Sequence, residues 1–436
     1  MGEMSMNTIL RLALPLALLA APAAAQTGAS GTTPQTLAQQ MFAEASAAIG
    51  NADYEAARRL LEAALDLKPA HPAVLRGLAI VALRAENPED GFQALERMAR
   101  AGIAFDPEPL EDLLRTANTA RFEAVAGQLA ANSAPVGQAE VVAEIDRPGA
   151  LIEGVAIDIE TDRLFVSSVT GREILLLEPF ARDEPRVFAD QEDGLWSVFG
   201  LAVDDRTRVV WAGSAAIEQT PLEDGETGGT ALFAFDLVTG DLYRRYQIDD
   251  AVQIADFTVR DGTVYASDSQ APRVYVLDSV SGELEVLAED PRFVSLQGVA
   301  LARGALYVAD YAMGLWRIDL GDRSVSLVRG GTESLIGIDG LRQTRDGRIL
   351  AVRNGTRPHQ VMAIDLDADG HAVASTEVLL RGHPAMTGEL AEPTLIDPAD
   401  GRAWLVANAA WPRFPAEGEG PGGEQPATVI LEIDLP

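Results

Sequence analysis

Six positions in the second two-thirds of the chain carry residue types that could do chemistry together. Glu153, Phe199, Asp256, Gln297, Asp339 and Glu392 each stand at the start of a short apolar run. The runs read Leu151-Ile-Glu153-Gly-Val-Ala, Val198-Phe199-Gly-Leu-Ala, Ala255-Asp256-Phe-Thr-Val, Leu296-Gln297-Gly-Val-Ala, Ile338-Asp339-Gly-Leu and Ala391-Glu392-Pro-Thr-Leu. Carboxylates and an amide brought to one axis lose hydration and repel one another, so the arrangement is costly unless something neutralises it. A hard divalent cation bound by oxygen ligands would do so. Ca²⁺ is the first expectation, with Zn²⁺ or Mn²⁺ as alternatives. The competing reading is that some of these residues cap the starts of strands, or stand in a water-filled channel.

Other polar groups stand near the same starts in the pattern. Asn354, in Arg353-Asn354-Gly355, and Asn408, in Ala407-Asn408-Ala-Ala-Trp411, close second strands. Both are candidates for binding substrate hydroxyls, and both are equally readable as turn or loop residues. Of the four histidines, His71 and His371 read as surface residues, while His359 and His383 sit in loops that could reach the same mouth. They share no metal-ligand spacing, which argues against a histidine zinc site. His383 is the candidate if a histidine base is used.

The elements that must position these groups follow from periodicity. Beyond Pro135, Val, Ile, Tyr, Phe and Trp alternate with polar residues between Asp-Gly and Gly-Asp turns. The six starts recur at intervals of 41 to 57 residues, the period of a four-stranded propeller blade. The fold expected for 136–436 is therefore an all-β six-bladed β-propeller. Its innermost strands begin near one mouth of the central channel, with the six residues facing it. The last blade ends with Thr428-Val-Ile-Leu-Glu-Ile-Asp-Leu-Pro436, which reads as only its third strand. The segment 136–147, with Glu140-Val-Val-Ala-Glu-Ile145, is expected to supply the fourth strand and remove an open edge. Thr220–Gly229 and the Gly/Pro/Glu-rich Pro412–Pro426 read as surface loops.

The ring resembles the gluconolactonase / senescence marker protein / luciferin-regenerating-enzyme family. The resemblance is carried by Glu153-Gly154, Leu296-Gln297-Gly298-Val299 with Leu306-Tyr307-Val308-Ala309-Asp310, and Asp339-Gly340 with Asp346-Gly347. It implies a six-bladed ring, hydrolysis of lactones or related esters, and one channel-bound divalent ion. It further implies Glu153, Gln297 and Asp339 as the metal ligands, with Gln297 standing where the family has Asn. By the same resemblance, the ion polarises a lactone carbonyl and lowers the pKa of a bound water. Asp339 is then ligand and general base, Glu153 completes the ligand set, and Asp256 and Glu392 are second candidates.

Upstream, 34–132 is rich in Ala, Leu, Glu and Arg at helical spacing. Asp53, Tyr54, Ala57, Leu61, Ala64 and Pro69 resemble the second helix of a tetratricopeptide repeat, with a degenerate second copy from Pro72 to Leu95 and a third helical pair near Pro109–Asn132. Such repeats present a groove to a protein partner; the alternative is a short bundle that only packs on its neighbour. Residues 1–25, an apolar run ending in Ala21-Pro-Ala-Ala-Ala25, read as a signal peptide and 26–33 as a linker, so a periplasmic or secreted protein is expected. No later stretch is long and apolar enough for a membrane span. With 436 residues, no cysteine and a formal net charge of −32, the chain has no disulfide or thiolate chemistry, and its field repels nucleic acid. Two functions remain: an exported metal-dependent hydrolase of lactones or sugar-acid esters, or a non-catalytic periplasmic binding or scaffold protein that combines the repeats with a propeller platform.

Overall fold

The computed structural model describes residues 33–331, 333–388, 391–415 and 425–436. The expected signal peptide, all of the linker but Thr33, and part of the Pro412–Pro426 loop lie outside them. The chain divides into two compact units, a helical one running up to Ala134 and a β unit beginning at Pro135; the helical unit also takes in Gly330–Ile336 and Thr356–Pro358.

The helical unit contains α1 (Pro34–Gly50), α2 (Tyr54–Leu67), α3 (Pro72–Arg84), α4 (Pro88–Arg100) and α5 (Glu111–Ala131). Thr33, Asp53 and Asn87 accept hydrogen bonds from the first free amides of α1, α2 and α4, and proline occupies the first turn of α1, α3 and α4. The face Ala57, Leu61, Ala64 is buried. Its small residues matter, because Leu61 lies against Gly77, where a Cβ would come within 3.1 Å of it. α5 is interrupted at Asn118, whose Oδ1 caps the second half through Arg121 N at 3.1 Å. His71, expected at the surface, is completely buried. It is the residue before α3, and the tight turn from α2 carries it inside.

The β unit is six four-stranded antiparallel sheets. The innermost strands are Ile152–Asp158, Ser197–Asp204, Ile254–Arg260, Leu296–Ala302, Ile338–Gln343 and Ile396–Ala399. Each packs beside the next, and the last packs beside the first, which closes the ring. Ile152–Asp158 is buried along its whole length, whereas the outer strand of the same blade, Ala181–Ala189, is mostly exposed. That gradient is why inner strands read as unbroken apolar runs. The sixth sheet is completed by Glu140–Ile145, which pairs antiparallel with Thr428–Asp434. The sixth inner strand starts later than its run suggests. Glu392 precedes it in an irregular lead, and Pro393, lacking an N–H, cannot extend the ladder.

Candidate functional site at the channel mouth

Four of the six candidate residues sit at a defect in their strands. The pairing register slips between Ile152 and Val155, Val198 and Leu201, Leu296 and Val299, and Ile338 and Leu341. The slips hold Glu153-Gly154, Phe199-Gly200, Gln297-Gly298 and Asp339-Gly340. A bulge re-aims a side chain, here at the start of an inner strand. The glycine is required because the neighbouring inner strand crosses it closely: a Cβ on Gly154 would meet Phe199 O at 2.4 Å, and one on Gly298 would meet Leu341 N at 2.2 Å. Hydroxyls then pin the carbonyls of the same residues. Ser167 Oγ donates to Phe199 O at 2.5 Å, Ser267 Oγ to Gln297 O at 2.6 Å and Thr394 Oγ1 to Glu153 O at 2.7 Å.

Carboxylates act on one another at this mouth. Glu153 is buried, and its Oε2 accepts from Trp411 Nε1 at 2.6 Å. Burial, then the charge of Asp339, push its pKa well above the ordinary carboxylate range, against the Trp411 bond. Asp339 is partly exposed, and its Oδ2 accepts from Asn354 Nδ2 at 2.7 Å. Burial of its carboxyl raises its pKa to about 7; the Asn354 bond opposes this, and the charges of Glu392 and Asp256 add to it. Glu392 stands close enough to act on both.

The other candidates have separate employment. Asp256 is buried in a two-point ion pair with Arg342, whose Nη2 reaches its Oδ1 at 2.8 Å. Arg342 comes from the fifth blade and also donates to Leu201 O in the second at 3.4 Å, so it crosses the channel interior. Gln297 turns its Nε2 to Ser295 Oγ at 3.1 Å. Asn408 serves the sixth blade: its Nδ2 donates to Ala427 O at 3.0 Å and its Oδ1 accepts from Val429 N at 2.7 Å. His383 accepts from Ala385 N through Nδ1 at 3.3 Å and starts a short 3₁₀ turn. His359 is buried.

Three mouth residues were not singled out from sequence. Trp411 bonds Glu153 and lies parallel to Phe199, with ring centroids 6.4 Å apart and an interplanar angle of 7°. Tyr311 stands near Asp339 and Glu392. Arg342 had a visible signal, a lone cation three residues after Asp339 in an inner strand. Trp411 and Tyr311 come from loops without periodicity.

Oxygen donors suited to a hard cation are present, though not as a closed cage. Among the described residues no three His, Asp or Glu side chains converge closely enough to hold an ion by themselves. The available set is mixed, comprising Glu153 and Asp339 with the amide oxygens of Gln297 and Asn354. Asn354 Oδ1 is buried without a hydrogen-bond partner, which is the kind of oxygen a cation would satisfy.

The closed ring and these bulged inner strands define a six-bladed β-propeller. No family model and no curated protein matches the sequence. Among solved structures the chain is similar to a gluconolactonase from Xanthomonas campestris, at 15% identity over 70% of this chain and 93% of that one, with a TM-score of 0.44. It is also similar to a virginiamycin B lyase from Staphylococcus aureus, at 10% identity over 68% and 99%, with a TM-score of 0.45. A PQQ-bound aldose sugar dehydrogenase from Streptomyces coelicolor shares 15% identity over 69% and 99%, with a TM-score of 0.42. These likenesses concern the propeller fold alone, which hosts unrelated activities, so function has to be argued from the site.

Proposed function

We propose that the propeller is a hydrolase of lactones or sugar-acid esters that works with a divalent cation, Ca²⁺ in the first instance, at the channel mouth. The observation that carries this reading is Asp339. Its carboxyl is held by Asn354 at 2.7 Å, faces the charges of its neighbours, and has a pKa of about 7. A general base is most effective when it titrates near the working pH and is fixed within reach of the proton it takes. Asp339 then removes the proton of the attacking water. Glu153, oriented by Trp411, and Asp339, with the amide oxygens of Gln297 and Asn354, are the groups that would hold the cation. When bound, the cation supplies Lewis-acid polarisation of the substrate carbonyl. The lactone or ester class comes from the resemblance carried by Glu153-Gly154 and Asp339-Gly340. Export to the periplasm or beyond is part of the proposal and comes from the N-terminal sequence.

The test is a panel of five- and six-membered lactones and sugar-acid esters, supplied with Ca²⁺, Zn²⁺ or Mn²⁺, for the wild type and Asp339→Asn. Turnover that falls about 10²–10⁴-fold in the variant supports the assignment. A wild type without turnover on any member refutes it. One observation favours the second reading, a non-catalytic platform: Phe199 is buried and lies against Trp411, and Asp256 is already neutralised by Arg342. In that reading the helical unit engages the partner.

A further inference from the structure

Among the described residues, the channel mouth is rich in acceptors, and the donors already named are engaged. Trp411 Nε1 is engaged by Glu153, both amide hydrogens of Asn354 by Asp339 and Pro393, and the Arg342 guanidinium by Asp256. A carbonyl whose oxygen becomes negative during hydrolysis needs a donor placed in advance. Tyr311 is a further donor near Asp339 and Glu392.

Its backbone is fixed from every side. The buried carboxylate of Asp310 accepts from Val294 N at 2.9 Å before the loop and from Ala312 N at 3.0 Å within it. Tyr311 N donates to Ser295 O at 2.8 Å, and its carbonyl accepts from Gly337 N at 2.9 Å. The phenol ring rests on Gly355, where a Cβ would come within 2.9 Å of Cζ and 3.0 Å of Oη. Gly355 in turn lies against Gly337, where an added Cβ would come within 2.6 Å of the Gly355 Cα. Two glycines thus form a seat that no other residue type leaves open. The hydroxyl stands within electrostatic reach of Asp339 and Glu392 without a hydrogen bond to either. Burial first, and those two charges next, raise its pKa, so it stays a neutral donor throughout the working range.

We infer that Tyr311 is the hydrogen-bond donor that receives the substrate carbonyl oxygen; the inference rests on the hydrolase reading above. As the water oxygen adds to the carbonyl carbon, the π pair moves onto the carbonyl oxygen. The Tyr311 O–H bonds that oxyanion and keeps its proton. The pair returns when the ester C–O bond breaks, and the proton taken by Asp339 passes to the departing alkoxide.

The experiment compares steady-state hydrolysis by the wild type, Tyr311→Phe, Gly355→Ala and the double variant, with the best lactone of the panel. Tyr311→Phe keeps the ring and removes only the oxygen. The expected result is a fall in kcat of about 10²-fold with KM within about twofold and an unchanged pH optimum, as for loss of one oxyanion donor. Gly355→Ala keeps the hydroxyl and displaces the ring. It should lose comparable turnover, and the double variant should lose little more than either single one. Thermal unfolding of each variant separates this from loss of fold. Undiminished kcat in Tyr311→Phe, or a change confined to KM, overturns the role of Tyr311 while leaving a hydrolase. A wild type without turnover overturns both.

Discussion

Asn354 gives its two amide hydrogens to two blades at once, to Asp339 Oδ2 at 2.7 Å in its own blade and to Pro393 O at 2.8 Å in the lead to the next. At or near the ends of other second strands, Ser168, Ser214, Asp268, Asp310 and Asn408 bond local backbone. Asn354 also positions a channel carboxylate. Replacing it by Leu leaves the Pro393 carbonyl unsatisfied and Asp339 loose. The expected cost is about 1–3 kcal/mol in denaturant unfolding, with a loss of roughly 10²-fold in turnover from misplacement. Turnover within twofold of wild type would show that Asn354 does not orient Asp339.

The raised pKa of Asp339 makes stability depend on pH with a definite sign. Its ordinary value is 3.8 and its folded value about 7. Between those values the native state binds more protons than the unfolded state, so stability declines as pH rises through that window. Above about 7 both states are ionised and the penalty is constant. Urea midpoints measured from pH 4 to pH 8 should fall with pH in the wild type and fall less in Asp339→Asn. Glu153, also raised, works in the same direction. Equal slopes in wild type and variant would show that Asp339 is not perturbed.

The Arg342–Asp256 pair predicts an asymmetric double-mutant cycle. Both side chains are buried, so Arg342→Leu strands an uncompensated carboxylate and should destabilise by about 3–5 kcal/mol. Replacing Asp256 by Leu as well should recover much of that. Additive losses in equilibrium unfolding would contradict the pairing.

The glycine after four of the six channel residues makes a sharper steric prediction. In Gly298→Ala the new Cβ would sit 2.5 Å from Asp339 O as well as 2.2 Å from Leu341 N, both backbone atoms of the next inner strand. The loss should be at least the 1–3 kcal/mol typical of overpacking. Gly127→Ala, where nothing lies within 4 Å, should leave the thermal midpoint unchanged or higher.

Those glycines also explain what could be read in advance. A channel residue, a glycine and an apolar run form a local pattern, because the bulge and the close crossing are demands on consecutive residues. The six-bladed ring was therefore legible, and so were the four bulges at Glu153, Phe199, Gln297 and Asp339; Asp256 and Glu392 carry no such glycine, and Glu392 lies ahead of its strand. The Asn354–Asp339 bond was nearly so: Ile338 pairs with Arg353, and the slip beyond it brings the next residues together. Asn408 also follows a second strand but bonds Val429 and Ala427, since what a second-strand end touches depends on the loop beyond it. Trp411 and Tyr311 reach the mouth from loops whose paths no periodicity encodes. His71 looked like a surface turn residue because burial at a helix junction depends on how neighbouring helices pack, not on its local sequence.

The most direct test of the central claim is calorimetric titration of Ca²⁺ into the metal-stripped mature protein, repeated with Zn²⁺ and Mn²⁺ and with Asp339→Ala. The account predicts one site per chain, release of protons on binding near neutral pH as the raised carboxylates ionise, and loss of the signal in the variant. Absence of binding by the wild type with all three ions, or binding unchanged in Asp339→Ala, would contradict it.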